Sequence, residues 1–232
     1  MRALCAGLDP QVRAFNERPL AGRTHPFLIV DAMVIKVRRD DTVRLLSALI
    51  CSGVNAEGLR EILGIQFGDS ESFTSWDDTF SWHQERGLTA VGFVVSGAHG
   101  GLIKAVAKSF QGALWQRCQV HLLRNVMGYV SHRDKAEIAS AATNVLRATH
   151  LTEARTRLAA MALHYPRAVE ALECLEAGPD DALAVLALPE KYRVRLRTTN
   201  MQERRYLDMD DYHAWSAAAA ERVKSRPVAI TV

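Results

Sequence analysis

Cysteine is scarce and scattered in this chain. The four among 232 residues (Cys5, Cys51, Cys118 and Cys174) show no paired spacing. That excludes a disulfide framework and points to a reduced, cytosolic setting. Long apolar runs are also lacking. None approaches the roughly 18 residues of a membrane helix, so no membrane partner is expected. The N-terminus has an early Arg but no apolar core of the signal-peptide kind. Charge of one sign is nearly balanced. The formal net charge of +3 permits nucleic-acid binding without arguing for it. The stretch "VVSGAHGGL" at 94–102 lacks the spaced glycines and the Lys-Ser/Thr ending of a phosphate loop. What is present is ordinary for a folded protein: 48% hydrophobic and 24% charged residues. The length suits one large domain, or one domain with an insertion.

Two patterns divide the chain. "LDPQVRAFNERPL" at 8–20 predicts a short helix capped by Asp9, with Pro10 in its first position. Strands are expected over 27–37, from the Arg38–Asp41 turn to Val54, and over 60–69, and the short turns make them an antiparallel meander. Phe73, Trp76, Phe80 and Gln84 have helical spacing, with Ser70 or Ser72 as cap and Gly87 as stop. A strand at 91–95, a helix at 98–110 and a strand at 113–118 follow. From 119 to about 190 the pattern is helical throughout, with helices near 119–130, 133–148, 151–163, 166–176 and 179–187. The fold class is therefore α/β, a mixed sheet flanked by helices with an all-α insertion. The expected parts are a helical lead-in at 1–24, a core at 25–118, the insertion at 119–190, and the rest of the core at 191–232.

Four features bear on chemistry. Asp31 interrupts the apolar strand "FLIVDAMVIKV". A carboxylate there is either a strand-end Asp bonded to a turn, or a metal ligand or general base. If the strand at 91–95 lies beside that at 27–37, Gly97 and Asp31 are neighbours. Adjacent strands with an acid each, plus a third from a helix, hold two Mg²⁺ ions, but position 97 has no acid. Cys118 and His121 lie on one helix face; no partner pair makes them a zinc site, and packing is the plainer reading. Finally "RVRLRTTNMQERRYLD" at 193–208 sets Arg197, Asn200 and Arg204 around Glu203. It reads as a solvated basic segment, or as a helix-borne carboxylate among phosphate-contacting arginines, with Thr198, Thr199 or Asn200 as cap.

Taken together, "PFLIVDAMVIKVR", "GVNAEGLREILGIQFGDSES", "ERGL", "WQRCQVHLLRNV" and "LRTTNMQER" resemble the Mutator-type family of insertion-sequence transposases, in order from about residue 8 to 205. The resemblance implies a ribonuclease H-like catalytic core with an Asp-Asp-Glu triad and a helical insertion before the Glu. It also implies Mg²⁺-dependent strand cleavage and transfer on transposon-end DNA, in the bacterial cytoplasm at the nucleoid. The partners it implies are DNA and a second transposase copy, either as a homo-oligomer or as an intact relative. On this reading Asp31 matches the first acid and Glu203 the third, both as catalytic residues and metal ligands. Cys118 and His121 match a Cys-x-x-His signature that supports the site.

The sequence departs from that pattern in three ways. Gly97 stands where the family has its second Asp, in a segment that usually reads Ser-Asp-Ala-His; one nucleotide separates the two codons. The family's N-terminal DNA-binding region is expected to be missing. "RRYLDMDDY" follows Glu203 at once, as an internal deletion near Glu203–Arg205 would produce. The expected function is a transposase with impaired catalysis. The alternative is a non-enzymatic remnant that binds DNA or an intact transposase.

Overall fold

The computed structural model describes residues 2–39, 42–55 and 58–199. Helix α1 (Arg2–Glu17) opens the chain. It begins earlier than the sequence pattern predicts, and Pro10 lies inside it rather than at its first position. The residues before Pro10 include Ala and Leu, good helix formers that carry the helix toward the N-terminus.

Strands β1 (Phe27–Arg39) and β2 (Thr42–Val54) pair antiparallel along their whole length, from Phe27 opposite Val54 to Arg39 opposite Thr42. Arg38 and Arg39 thus belong to β1 and not to the turn, because the ladder continues to its end. Strand β3 (Arg60–Gly68) pairs antiparallel with Ser47–Val54 and is irregular at Cys51/Ser52. With β4 (Phe93–Ser96) and β5 (Leu114–Arg117) these form one five-stranded mixed sheet in the order β3-β2-β1-β4-β5. Helix α2 (Phe73–Glu85) follows β3, and α3 (Gly100–Ser109) follows β4. This is the expected mixed sheet flanked by helices, consistent with a ribonuclease H-like arrangement.

The described chain divides into two compact units. The first runs to Val94 and includes His99–Ala113; the second holds Val95–Ala98 and the chain from Leu114 on. The core of the first is aromatic. Trp76 stacks on Phe80 with centroids 5.6 Å apart, and Phe80 meets Phe110 edge-on at 5.0 Å. Trp76, Phe80, Phe27 and Phe93 are all fully buried. Ser72 caps α2 by accepting from the Ser75 amide at 3.1 Å, and Gly87 follows the helix. Gly87 has φ +100, and a Cβ there would stand 2.6 Å from the Ala21 amide nitrogen, so only glycine fits.

The second unit is helical after β5, as the 119–190 pattern implies. Helices α4 (Gln119–Gly128), α5 (Lys135–Leu146), α6 (Leu151–His164) and α7 (Val169–Glu176) share a core of Leu122, Val126, Ile138, Ala142, Val145, Leu146, Ala154, Met161, Ala171 and Leu175. The helix expected over 179–187 is broken into α8 (Pro179–Ala182) and a 3₁₀ turn, Ala184–Ala187. The cause is a side chain: buried Gln116 accepts the Val185 amide at 2.6 Å, taking a donor that a continuous helix would need. A short α9 (Glu190–Arg193) follows, which the sequence pattern did not suggest. Among the described residues no helix is long and apolar enough to cross a membrane.

Candidate functional site

Asp31 lies midway along β1, where burial ends. Phe27 to Val30 are fully buried, Asp31 is half-buried, and Met33 and Val34 beyond it are exposed. The carboxylate therefore stands at the rim of the apolar strand half and keeps access to water. Its Oδ1 accepts the Ala32 amide at 3.0 Å. The apolar run quoted from the sequence is thus buried only on one side of Asp31, and the desolvation cost that made this residue conspicuous is avoided by position.

Two other acids of the first unit, Glu71 and Asp77, are engaged. Glu71 accepts the Trp76 indole N–H at 3.2 Å, and the same Oε1 lies 3.9 Å from His99 Nδ1. Asp77 accepts the Lys108 ammonium at 2.7 Å. Asp69 and Asp78 are exposed. His99 ends the turn that carries Gly97 and precedes α3.

In the second unit the residues around position 97 form a connected junction. Ser96, the last residue of β4, accepts the Trp115 indole N–H on its Oγ at 2.7 Å and donates that hydroxyl to the Gly97 carbonyl at 2.8 Å. The Ser96 carbonyl accepts the Cys118 amide at 2.7 Å. Gly97 has no positive φ, and a Cβ built on it would meet only His121 Nδ1, at 3.5 Å. Neither the backbone nor the space at Cβ requires glycine there.

Cys118 is fully buried at the N-cap of α4, with His121 one turn on. Its sulfur accepts the Thr199 amide at 3.4 Å and the Thr199 hydroxyl at 3.6 Å. Burial alone would push the Cys118 thiol up. Hydrogen bonding from the His121 side chain and from Thr199 outweighs it and brings the thiol down to about 7. The His121 backbone amide, in the first turn of α4, lowers it further. Arg197 runs beside this junction. Its carbonyl accepts the Gln119 amide at 2.9 Å, and its guanidinium donates to the Leu146 carbonyl at 3.3 Å. Burial, then Arg193 and Arg147, holds the Arg197 guanidinium below its usual range.

Asn200, Glu203 and Arg204 lie outside the described residues. The structure thus brings together Gly97, Cys118, His121 and the Arg197 backbone, and places Asp31 in the first unit. The sequence pattern assigned Thr199 no more than a helix cap. Its part as the sulfur's partner is set by contact across 81 residues, which no local signal reports.

The family's metal can be weighed against these donors. Asp31 is a hard oxygen donor of the kind Mg²⁺ takes. Cys118 and His121 are softer, and Gly97 supplies nothing. Among the described residues no group of three or more His, Cys, Asp or Glu is placed to hold a metal ion. The described residues alone therefore do not make a Mg²⁺ site.

Comparison with known proteins gives the same direction as the motifs. The family model described as "Transposase, Mutator family" matches residues 1–207. The chain is 33% identical over 205 residues to the transposase for insertion sequence element IS256 in transposon Tn4001 of Staphylococcus aureus, covering 87% of this chain and 52% of that protein. It is 35% identical over 205 residues to the transposase for element IS1081 of Mycobacterium tuberculosis, covering 85% and 48%. It is 35% identical over 202 residues to the transposase for element IS406 of Burkholderia multivorans, covering 86% and 51%. The chain spans about half the length of the curated relatives it matches. With the strand order, the helical unit and the ordered motifs in place, the chain belongs to the Mutator family of transposases.

Proposed function

We propose that this chain acts in DNA transposition as a Mutator-type transposase whose strand cleavage and transfer are impaired at position 97. Family membership supports the class of reaction, with element-end DNA as partner and the nucleoid as its place. Gly97 is the observation that carries the impairment. Its backbone and the space at its Cβ do not require glycine, yet no carboxylate stands there. In the family reading Asp31 and Glu203 would hold Mg²⁺, which supplies charge neutralisation at the scissile phosphate when bound. Asp31 contributes a solvated carboxylate oxygen at the strand rim. Glu71, although near His99 in the first unit, is already engaged with Trp76. Losing one negatively charged ligand weakens such a site at least as much as outer-shell changes do, roughly 10–100-fold.

The test compares the full chain with Gly97→Asp on element-end DNA, with Mg²⁺ or Mn²⁺ in the buffer. DNA binding is read by gel shift and chemistry by joined product. The expected outcome is binding without joining by the unmodified chain, and joining by Gly97→Asp. Joined product from the unmodified chain overturns the impairment. A Gly97→Asp chain that binds DNA but joins nothing favours the non-enzymatic remnant instead.

A further inference from the structure

The junction of β5 and α4 joins three separate stretches of chain, and two of the four hydrogen bonds that tie Cys118 and Gln119 to Ser96, Arg197 and Thr199 end on one sulfur. The Cys118 amide donates to Ser96, and the Gln119 amide donates to Arg197. The other two are the Thr199 amide and hydroxyl, both donating to Cys118 Sγ. The His121 side chain hydrogen-bonds the same sulfur, which also sits at the N-terminus of a ten-residue helix. A neutral thiol is a weak acceptor with a proton of its own to place. Several donors converging on one buried sulfur suit a thiolate.

We propose that Cys118 is a positioning residue: its sulfur, with His121, is a latch that clasps Thr199 to the β5–α4 junction. The latch closes when the thiol proton leaves to His121 or to water, because the bare sulfur then accepts all the donors at once. Charged groups from the other elements point elsewhere. Arg117 at the end of β5 reaches toward Gly178, and Arg197 of the incoming segment toward the Leu146 carbonyl. The stretch 95–98, "VSGA", carries no charged side chain, which leaves His121 as the ionisable neighbour. The same imidazole faces the side-chain position of residue 97.

The experiment titrates the thiolate absorbance of the full chain and subtracts that of Cys118→Ser. The expected difference is one transition near neutrality, about 7, against an ordinary thiol value of 9.0. His121→Gln should move that transition up by about one unit or more. This variant keeps the cysteine and serves as the test if Cys118→Ser fails to fold. Hydrogen exchange at the Thr199 amide, corrected for intrinsic rate, should slow as the thiolate forms in the parent chain and not in Cys118→Ser. A transition at or above the ordinary thiol value, or one that His121→Gln leaves in place, overturns the latch. So does Thr199 protection that ignores both pH and the substitution. None of these readouts requires strand transfer, so an inert chain disproves the function and not the latch.

Discussion

The two units bury polar side chains in different ways. In the first, His83 is fully buried on α2. Its Nδ1 meets the Thr79 carbonyl at 2.7 Å, and its Nε2 has no hydrogen-bond partner. Cys51 is fully buried on β2, where desolvation pushes its thiol up and the Arg86 charge opposes this only in part. In the second unit, buried Gln116 donates to the Arg117 and Ala182 carbonyls and accepts the Val185 amide. Gln119 donates to Ala182 at 2.8 Å, and Cys118 receives Thr199. Two buried cysteines thus shift in opposite directions. Burial sets the sign for a cysteine without donors, and converging donors reverse it. Aromatic stacking marks the core of the first unit; in the second, the Gln116 and Gln119 side chains join β5 and α4 to the segment around Ala182–Val185.

Substitutions can break or sharpen this contrast. The largest effect is expected for Trp76→Ala, which removes the fully buried ring stacked on Phe80. It should cost about 3–5 kcal/mol, read by denaturant unfolding. Next comes acid. Burial, the largest cause, holds His83 down at about 4, against 6.5 for a free histidine. Between those values the unfolded chain binds the proton and the folded chain does not. Stability is therefore lost as pH falls from 6.5 toward 4, by up to about 3 kcal/mol. His83→Gln should flatten that limb of the stability–pH curve. A curve with the same slope in the variant would remove His83 from the account. The smallest effects, and the most direct comparison, come from the paired serines at neutral pH. Cys51→Ser buries a hydroxyl where the thiol had no donors and should cost about 1–3 kcal/mol. Cys118→Ser keeps an acceptor for Thr199 and should cost about 1 kcal/mol or less. Equal losses would mean that the two burial environments do not differ as described.

Much of the element order was legible because it rests on local pattern. Ser72 capping, the Gly87 stop and the helical run from 119 appear where spacing placed them. The failures have a common physical source. Gln116 splits the helix expected at 179–187 by reaching its backbone from 69 residues away. The Arg38-Arg39 pair looked like a turn until the ladder with β2 extended through it. For the site, Gly97 and the Cys118–His121 pair were visible as residue types, but their contact was not. Asp31 stood out as a charge in an apolar strand; its rim position depends on where burial ends along β1, which periodicity alone does not mark. Glu203, Asn200 and Arg204 lie outside the described residues.

By itself the sequence determined the order of strands and helices, the family, and the absence of a carboxylate at position 97. These depend on side-chain identity and on spacing over a few residues, which act without distant contacts. Only the tertiary structure decided that a Cβ has room at Gly97, that Asp31 stands where burial ends along its strand, and that Cys118 meets Thr199. Those outcomes depend on chain closure between remote segments, where packing and converging donors set the environment of each group.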